Sequence, residues 1–191
     1  MKLDPLLRSH EPWLHVLLAG ESEVCDALWA LERSSEKRTV CRVIRGHKAT
    51  TKSAFLDECA AAWQFPCYFG ENWDAFEECL TDLRWLPAEA YVFCVTRAVH
   101  LLEKEPSDQQ QQLLMVLQGI AKEWGQSTPS RPARSRFGLV LDTNPKRERG
   151  IPAAVFHVLL QCSAEEKPLL DQRLRAGVSY DVVQYNGSKE S

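Results

Sequence analysis

Phe65-Pro66-Cys67-Tyr68-Phe69-Gly70-Glu71-Asn72-Trp73-Asp74-Ala75-Phe76-Glu77-Glu78-Cys79-Leu80-Thr81 changes character half-way along. Its first part is aromatic and loop-like, punctuated by Pro66 and Gly70. Its second part has helical spacing. Trp73, Phe76, Leu80 and Leu83 fall at i, i+3, i+7 and i+10, one apolar stripe. Glu71, Asp74, Glu78 and Asp82 form a second, acidic stripe, with Glu77 beside it. The pattern predicts a helix from about Glu71 to Leu83, stopping before Pro87. Gly70 is placed to supply a positive φ ahead of it, and Asn72 to cap it or to bond within the loop.

The charge in this segment is lopsided. Between residues 65 and 90 the acids are Glu71, Asp74, Glu77, Glu78, Asp82 and Glu89, and the base is Arg84. Like charges at i,i+4 destabilise a helix by roughly 0.2–0.5 kcal/mol a pair, and Asp74–Glu78 and Glu78–Asp82 are such pairs. The helix dipole offsets the cost near the N-terminus, for Glu71 and Asp74. It does nothing for Glu78 and Asp82. A focused acidic face fits a basic partner; a solvated helix face is the plainer alternative.

Working outward, strands and helices alternate. Trp13 to Ala19 reads as a buried strand ending at Gly20, and Ser22 as the cap of a helix with Val24, Ala27, Leu28 and Leu31 inward. Thr39 to Arg45 is β-branched and ends at Gly46. Thr50 or Thr51 opens a helix that runs to Trp63, with Phe55, Leu56 and Cys59 inward. Tyr91 to Thr96, Phe137 to Leu141, Ala154 to Gln161 and Tyr180 to Tyr185 read as further strands. Ser107 to Gly125 and Glu165 to Ala176 read as helices, and 126–136 as a loop. His15-Val-Leu-Leu recurs as His157-Val-Leu-Leu, too short an echo to be a repeat. The alternation implies an α/β fold with a largely parallel sheet.

Composition narrows the function classes. The chain has 191 residues, 45% apolar and 26% charged, with net charge −3. That is an ordinary globular balance. It disfavours a general nucleic-acid binder, which needs surplus Lys and Arg. No apolar run is long enough to span a bilayer, and the N-terminus does not read as a signal peptide, so a cytoplasmic location is expected. The odd count of seven cysteines, without a Cys-x-x-Cys pair, reads as small buried hydrophobes in a reducing compartment. No metal motif, phosphate loop or nucleophile elbow stands out, and no histidine joins the acidic helix. No catalytic residue, cofactor or metal is implied.

The run from Phe65 to Thr81 strongly resembles the signature of the barstar family: Pro66, Tyr68-Phe69, Gly70-Glu71-Asn72, Trp73, Asp74-Ala75, Glu78 and Cys79-Leu80. Val43-Ile44-Arg45-Gly46 and the helix Lys52 to Trp63 extend the likeness, so it covers about residues 40–142. The resemblance implies a barstar-like core over 39–142, a small, largely parallel sheet packed by helices in two or three layers. Strand–helix extensions at 1–38 and 143–191 would flank it, together making one compact domain. It also implies an inhibitor, not an enzyme, whose partner is a basic ribonuclease or nuclease toxin; neither a membrane nor direct nucleic-acid binding is implied. Carried over position by position, Asp74 and Glu78 stand where substrate phosphates would lie and Tyr68 packs on a catalytic histidine. Gly70, Asn72, Trp73, Glu77 and Thr81 fall at further contact positions. Glu78 replaces the family's Asp, Glu77 its contact Trp, and Gln118 or Gly119 a later acid. These departures point to a basic nuclease other than barnase. A barstar-fold scaffold or regulator with a non-nuclease protein partner is the alternative reading. Arg131, Arg134, Arg136, Lys146, Arg147 and Arg149 form a basic loop read as solvated.

Overall fold

The computed structural model describes residues 3, 11–34, 38–125, 154–174 and 180–184. In chain order the elements are β1 (Leu14–Leu18), α1 (Glu21–Ser34), β2 (Thr39–Arg45), α2 (Lys52–Trp63), α3 (Trp73–Asp82), β3 (Ala90–Thr96), α4 (Ser107–Gly125), β4 (Val155–Cys162), α5 (Lys167–Leu174) and β5 (Asp181–Gln184). A short 3-10 turn, Ala98–His100, follows β3. The strand expected at Phe137–Leu141, the loops at 126–136 and 143–150 and the tail at 186–191 lie outside the described residues.

The five strands form one parallel sheet in the order β2-β3-β4-β1-β5. β3 and β4 are buried along their whole length. That is what a sheet covered on both faces requires, and it explains their continuous apolar runs. Alternation divides the side chains between two cores. Leu17, Cys41, Val92, Cys94 and Leu159 meet Val24, Ala27, Leu28 and Leu31 of α1 on one face. Val16, Ile44, Tyr91, Phe93, Phe156 and Val158 meet α2, α3, α4 and α5 on the other. Of the two- and three-layer alternatives, the structure has helices on both faces. The sheet is continuous from β1, before residue 39, to β4 and β5, after residue 142.

The helix-rich face is aromatic. Trp63 of α2 stacks on Phe93 at 5.8 Å between ring centres and on Phe156 at 6.3 Å. Phe55 lies edge-on to Phe76 at 5.3 Å. Replacing such a ring with Ala costs about 3–5 kcal/mol. Indole N–H groups need partners when buried: Trp124 Nε1 donates to the Leu80 carbonyl at 3.0 Å, tying α4 to α3, and Trp85 Nε1 donates to the Trp63 carbonyl at 3.0 Å.

The carboxyl ends of the strands are closed by polar side chains. Glu21, in the first turn of α1, accepts from Thr96 Oγ1 at 3.0 Å and Arg97 Nε at 2.8 Å. Gln161 accepts from the Arg97 N–H at 2.7 Å and donates to the Ala19 carbonyl at 2.8 Å. Gly46 passes so close to this junction that a Cβ there would lie 2.5 Å from the Arg97 carbonyl oxygen. At the outer edge, Glu32 accepts from the Cys41 N–H at 2.6 Å and from Arg42 at 3.0 Å. Glu58 takes both nitrogens of the Arg45 fork, at 3.0 and 2.6 Å. Ser22 does not cap α1: the helix begins at Glu21, and the Glu23 carboxylate reaches back to the Gly20 N–H at 2.8 Å.

Five of the cysteines are buried. Burial pushes the Cys41 thiol up to about 12 and that of Cys162 to about 11. The expectation of buried cysteines fails at Cys67, which is exposed in the loop before α3.

Candidate functional site

The loop 65–72 and α3 form one surface because the loop's aromatics point two ways. Phe65 and Phe69 meet edge-on at 4.9 Å, and Phe65 continues onto Phe76 and Trp85. The Phe69 N–H bonds to the Pro66 carbonyl at 2.9 Å, closing a turn. Tyr68, between them, is left 77% exposed. Its phenol is pushed up, first by partial desolvation and then by the neighbouring Cys79, Asp82 and Glu78. The ring therefore stands beside the acids of α3.

Asn72 starts the helix. Its Oδ1 accepts from the Ala75 N–H at 2.9 Å and its Nδ2 donates to the Gly70 carbonyl at 2.9 Å. Such a cap stabilises a helix by about 1 kcal/mol. Asn72 thus joins loop to helix, and α3 begins at Trp73 rather than Glu71. The positive φ falls on Glu71, at 49°, not on Gly70. Gly70 matters through space instead: a Cβ there would sit 3.1 Å from Asn72 Nδ2.

The two stripes separate as helical geometry requires. Trp73, Phe76, Cys79 and Leu80 are buried. Trp73, only 7% exposed, donates from Nε1 to Gln109 Oε1 of α4 at 3.1 Å, and the Lys52 ammonium sits 5.2 Å from its ring centre. It lies beneath the face. Glu71, Asp74 and Glu78 are exposed, and Glu77, Thr81 and Asp82 half-buried. Thr81 turns its hydroxyl inward, donating to the Glu77 carbonyl at 2.8 Å. Glu77 leans on α4, with Oε1 3.3 Å from where a Cβ on Gly119 would be. The acidic stripe is shorter than its spacing suggested, because Asp82 is held by Arg84 at 2.5 Å. Burial, then Glu78 and Asp82, push the Cys79 thiol up to about 11, so it is a neutral thiol at pH 7.

The contacts that several residues make here escaped the sequence reading. Arg84 lies two residues from Asp82, off the helical repeat, because Leu83 ends the helix in the left-handed region at φ 40°. Gln109 and Lys52 come from α4 and α2, and no periodicity within α3 points to them.

A family model described as Barstar (barnase inhibitor) matches residues 39–141, just over half the chain. The chain belongs to the barstar family. The matched span holds β2, α2, the loop, α3, β3 and α4. β1, α1, β4, α5 and β5 lie outside it. No curated protein matches the chain. The barstar family is a family of inhibitors.

Among the described residues, no helix is long and apolar enough to cross a membrane.

Proposed function

We propose that this barstar-family chain inhibits a basic ribonuclease by occluding its active site with Tyr68, Asp74 and Glu78. One observation carries the reading: Asp74 and Glu78 are exposed on α3 and have neither a hydrogen bond nor an ion pair from their side chains among the described residues. A cleft that holds phosphate must be cationic. Carboxylates on a rigid helix can fill it without offering a cleavable bond. Long-range attraction speeds encounter, and short ion pairs slow release. Gly70, Asn72, Glu77 and Thr81 would border the contact, and Trp73 would position α3 from beneath. The target is a microbial nuclease toxin, and the chain serves as its cytoplasmic antitoxin or immunity protein.

The test is calorimetric titration against small basic microbial ribonucleases at low and moderate salt, with Asp74→Ala alongside. Binding that weakens with salt and is lost in the variant supports this reading. Binding insensitive to both changes would overturn the assigned face. Failure to bind any such nuclease would favour a non-nuclease partner on the same fold.

A further inference from the structure

His15 and His157 lie outside the span matched to the barstar family. β1 pairs with β4 so that His15 opposes Leu159. The two His-Val-Leu-Leu segments are therefore two residues out of step, which sets the imidazoles diagonally on the α1 face. His15 is 3% exposed and His157 1%. His15 Nε2 and His157 Nδ1 are 3.1 Å apart, and the ring centres 5.2 Å. This hydrogen bond joins the first strand of the chain to the centre of the sheet.

We propose that His15 and His157 form an acid-sensitive clasp that holds β1 on β4 at neutral pH and loosens that seam in acid. In the neutral pair one proton lies between the facing nitrogens, with one nitrogen donating and the other accepting. A further proton goes to an outer nitrogen and places a cation inside the sheet. A second forces two N–H groups face to face, and the bond is lost. Among the described residues, the neighbours of the pair are mostly apolar. Leu17 and Leu159 flank the pair within the sheet, Val92 of β3 opposes His157, and α1 covers this face with Val24, Ala27, Leu28 and Leu31. The charged group facing His15 from β5 is Asp181, its register partner. Asp181 and the Pro12 carbonyl favour the charged ring, yet desolvation outweighs them and lowers the affinity of His15 for a proton. His15 Nδ1 has no hydrogen bond of ordinary geometry. The folded state therefore binds fewer protons than the unfolded chain below about pH 6.5. The contribution is complete above that pH and is lost as pH falls through it.

Hydrogen exchange of the full chain at pH 7.5 and 5.5, corrected for intrinsic rates, tests the clasp. Amides of Leu14–Leu18 should lose protection by up to about tenfold per pH unit, the limit for one extra proton, and more than amides of β2. His15→Gln and His157→Asn each keep a neutral hydrogen-bonding group; each should reduce the excess loss, and the two together should abolish it. Equal acid loss in β1 and β2, or an unchanged excess in a folded variant, would overturn the proposal. Imidazole proton NMR of the unmutated chain gives a check that needs no variant: linked titration of the two rings supports it, and independent titration near the ordinary imidazole value overturns it.

Discussion

Two sets of carboxylates sit on this molecule in opposite circumstances. Glu21, Glu32 and Glu58 border the sheet, and each is bound by an arginine; Glu21 and Glu32 take a further donor as well, and Glu58 takes both nitrogens of its arginine's fork. Asp74 and Glu78 share one face of α3, one turn apart, with no side-chain partner among the described residues. The first set closes strand ends and, among the described residues, covers the outer edge of the sheet at β2, where an N–H would otherwise face outward. The second set repels itself; Asp74, in the first turn of α3, gains from the helix dipole, and Glu78 does not. Acids that serve architecture come with their cations; acids that lack them are available to a cation from another molecule.

Mutations at the two sets should therefore have opposite signatures. The largest effect is expected at Asp74→Ala, which should weaken nuclease binding by about 2–5 kcal/mol, as for any buried charge pair left half-made; the barnase–barstar complex is itself a reference case for that magnitude. Unfolding by urea should change by no more than about 0.5 kcal/mol. Loss of fold in this variant would erase the distinction. Next is Glu21→Ala, with the converse result. Thr96 is fully buried, and stranding its hydroxyl should lower stability by about 1–3 kcal/mol, with binding unchanged in calorimetry of the folded fraction.

Acid titration sharpens the contrast. Arg45 holds the Glu58 carboxyl below its ordinary value near 4.5. Its contribution is present above that value and is lost as pH falls below it. Urea melts from pH 7 to pH 3 should thus show a shallower acid loss in Glu58→Gln than in the unmutated chain. The smallest change is expected at Arg84→Ala. It frees Asp82 to join the exposed acids, costs no more than about 1 kcal/mol of stability, and should steepen the salt dependence of nuclease binding.

The sequence was most legible where one element carries the whole signal. The stripes of α3 follow from 3.6-residue spacing, and the runs of β3 and β4 from β-branched and aromatic content. Relations between elements were not legible. Nothing in Leu14–Leu18 states that it lies between β4 and β5, because a strand's period sets its faces and not its neighbours. The pairing of Asp82 with Arg84 depended on a helix end in the left-handed region at Leu83. The strained φ at Glu71 was hidden by the glycine beside it, whose backbone tolerance made it the obvious candidate.

The strand order also sets a timetable for synthesis. β1 is made well before the strands it joins: Leu14 pairs with Val158 and His15 with Asp181. At about 5–20 residues per second, the intervening chain takes roughly 7–30 s to make. Throughout that interval both edges of β1 lack the strands they pair with. β2, β3 and the helices between them can already assemble. The nascent chain thus carries β1 with both edges unpaired while β2, α2, α3 and β3 come together, and a late step is the capture of β1 between β4 and β5.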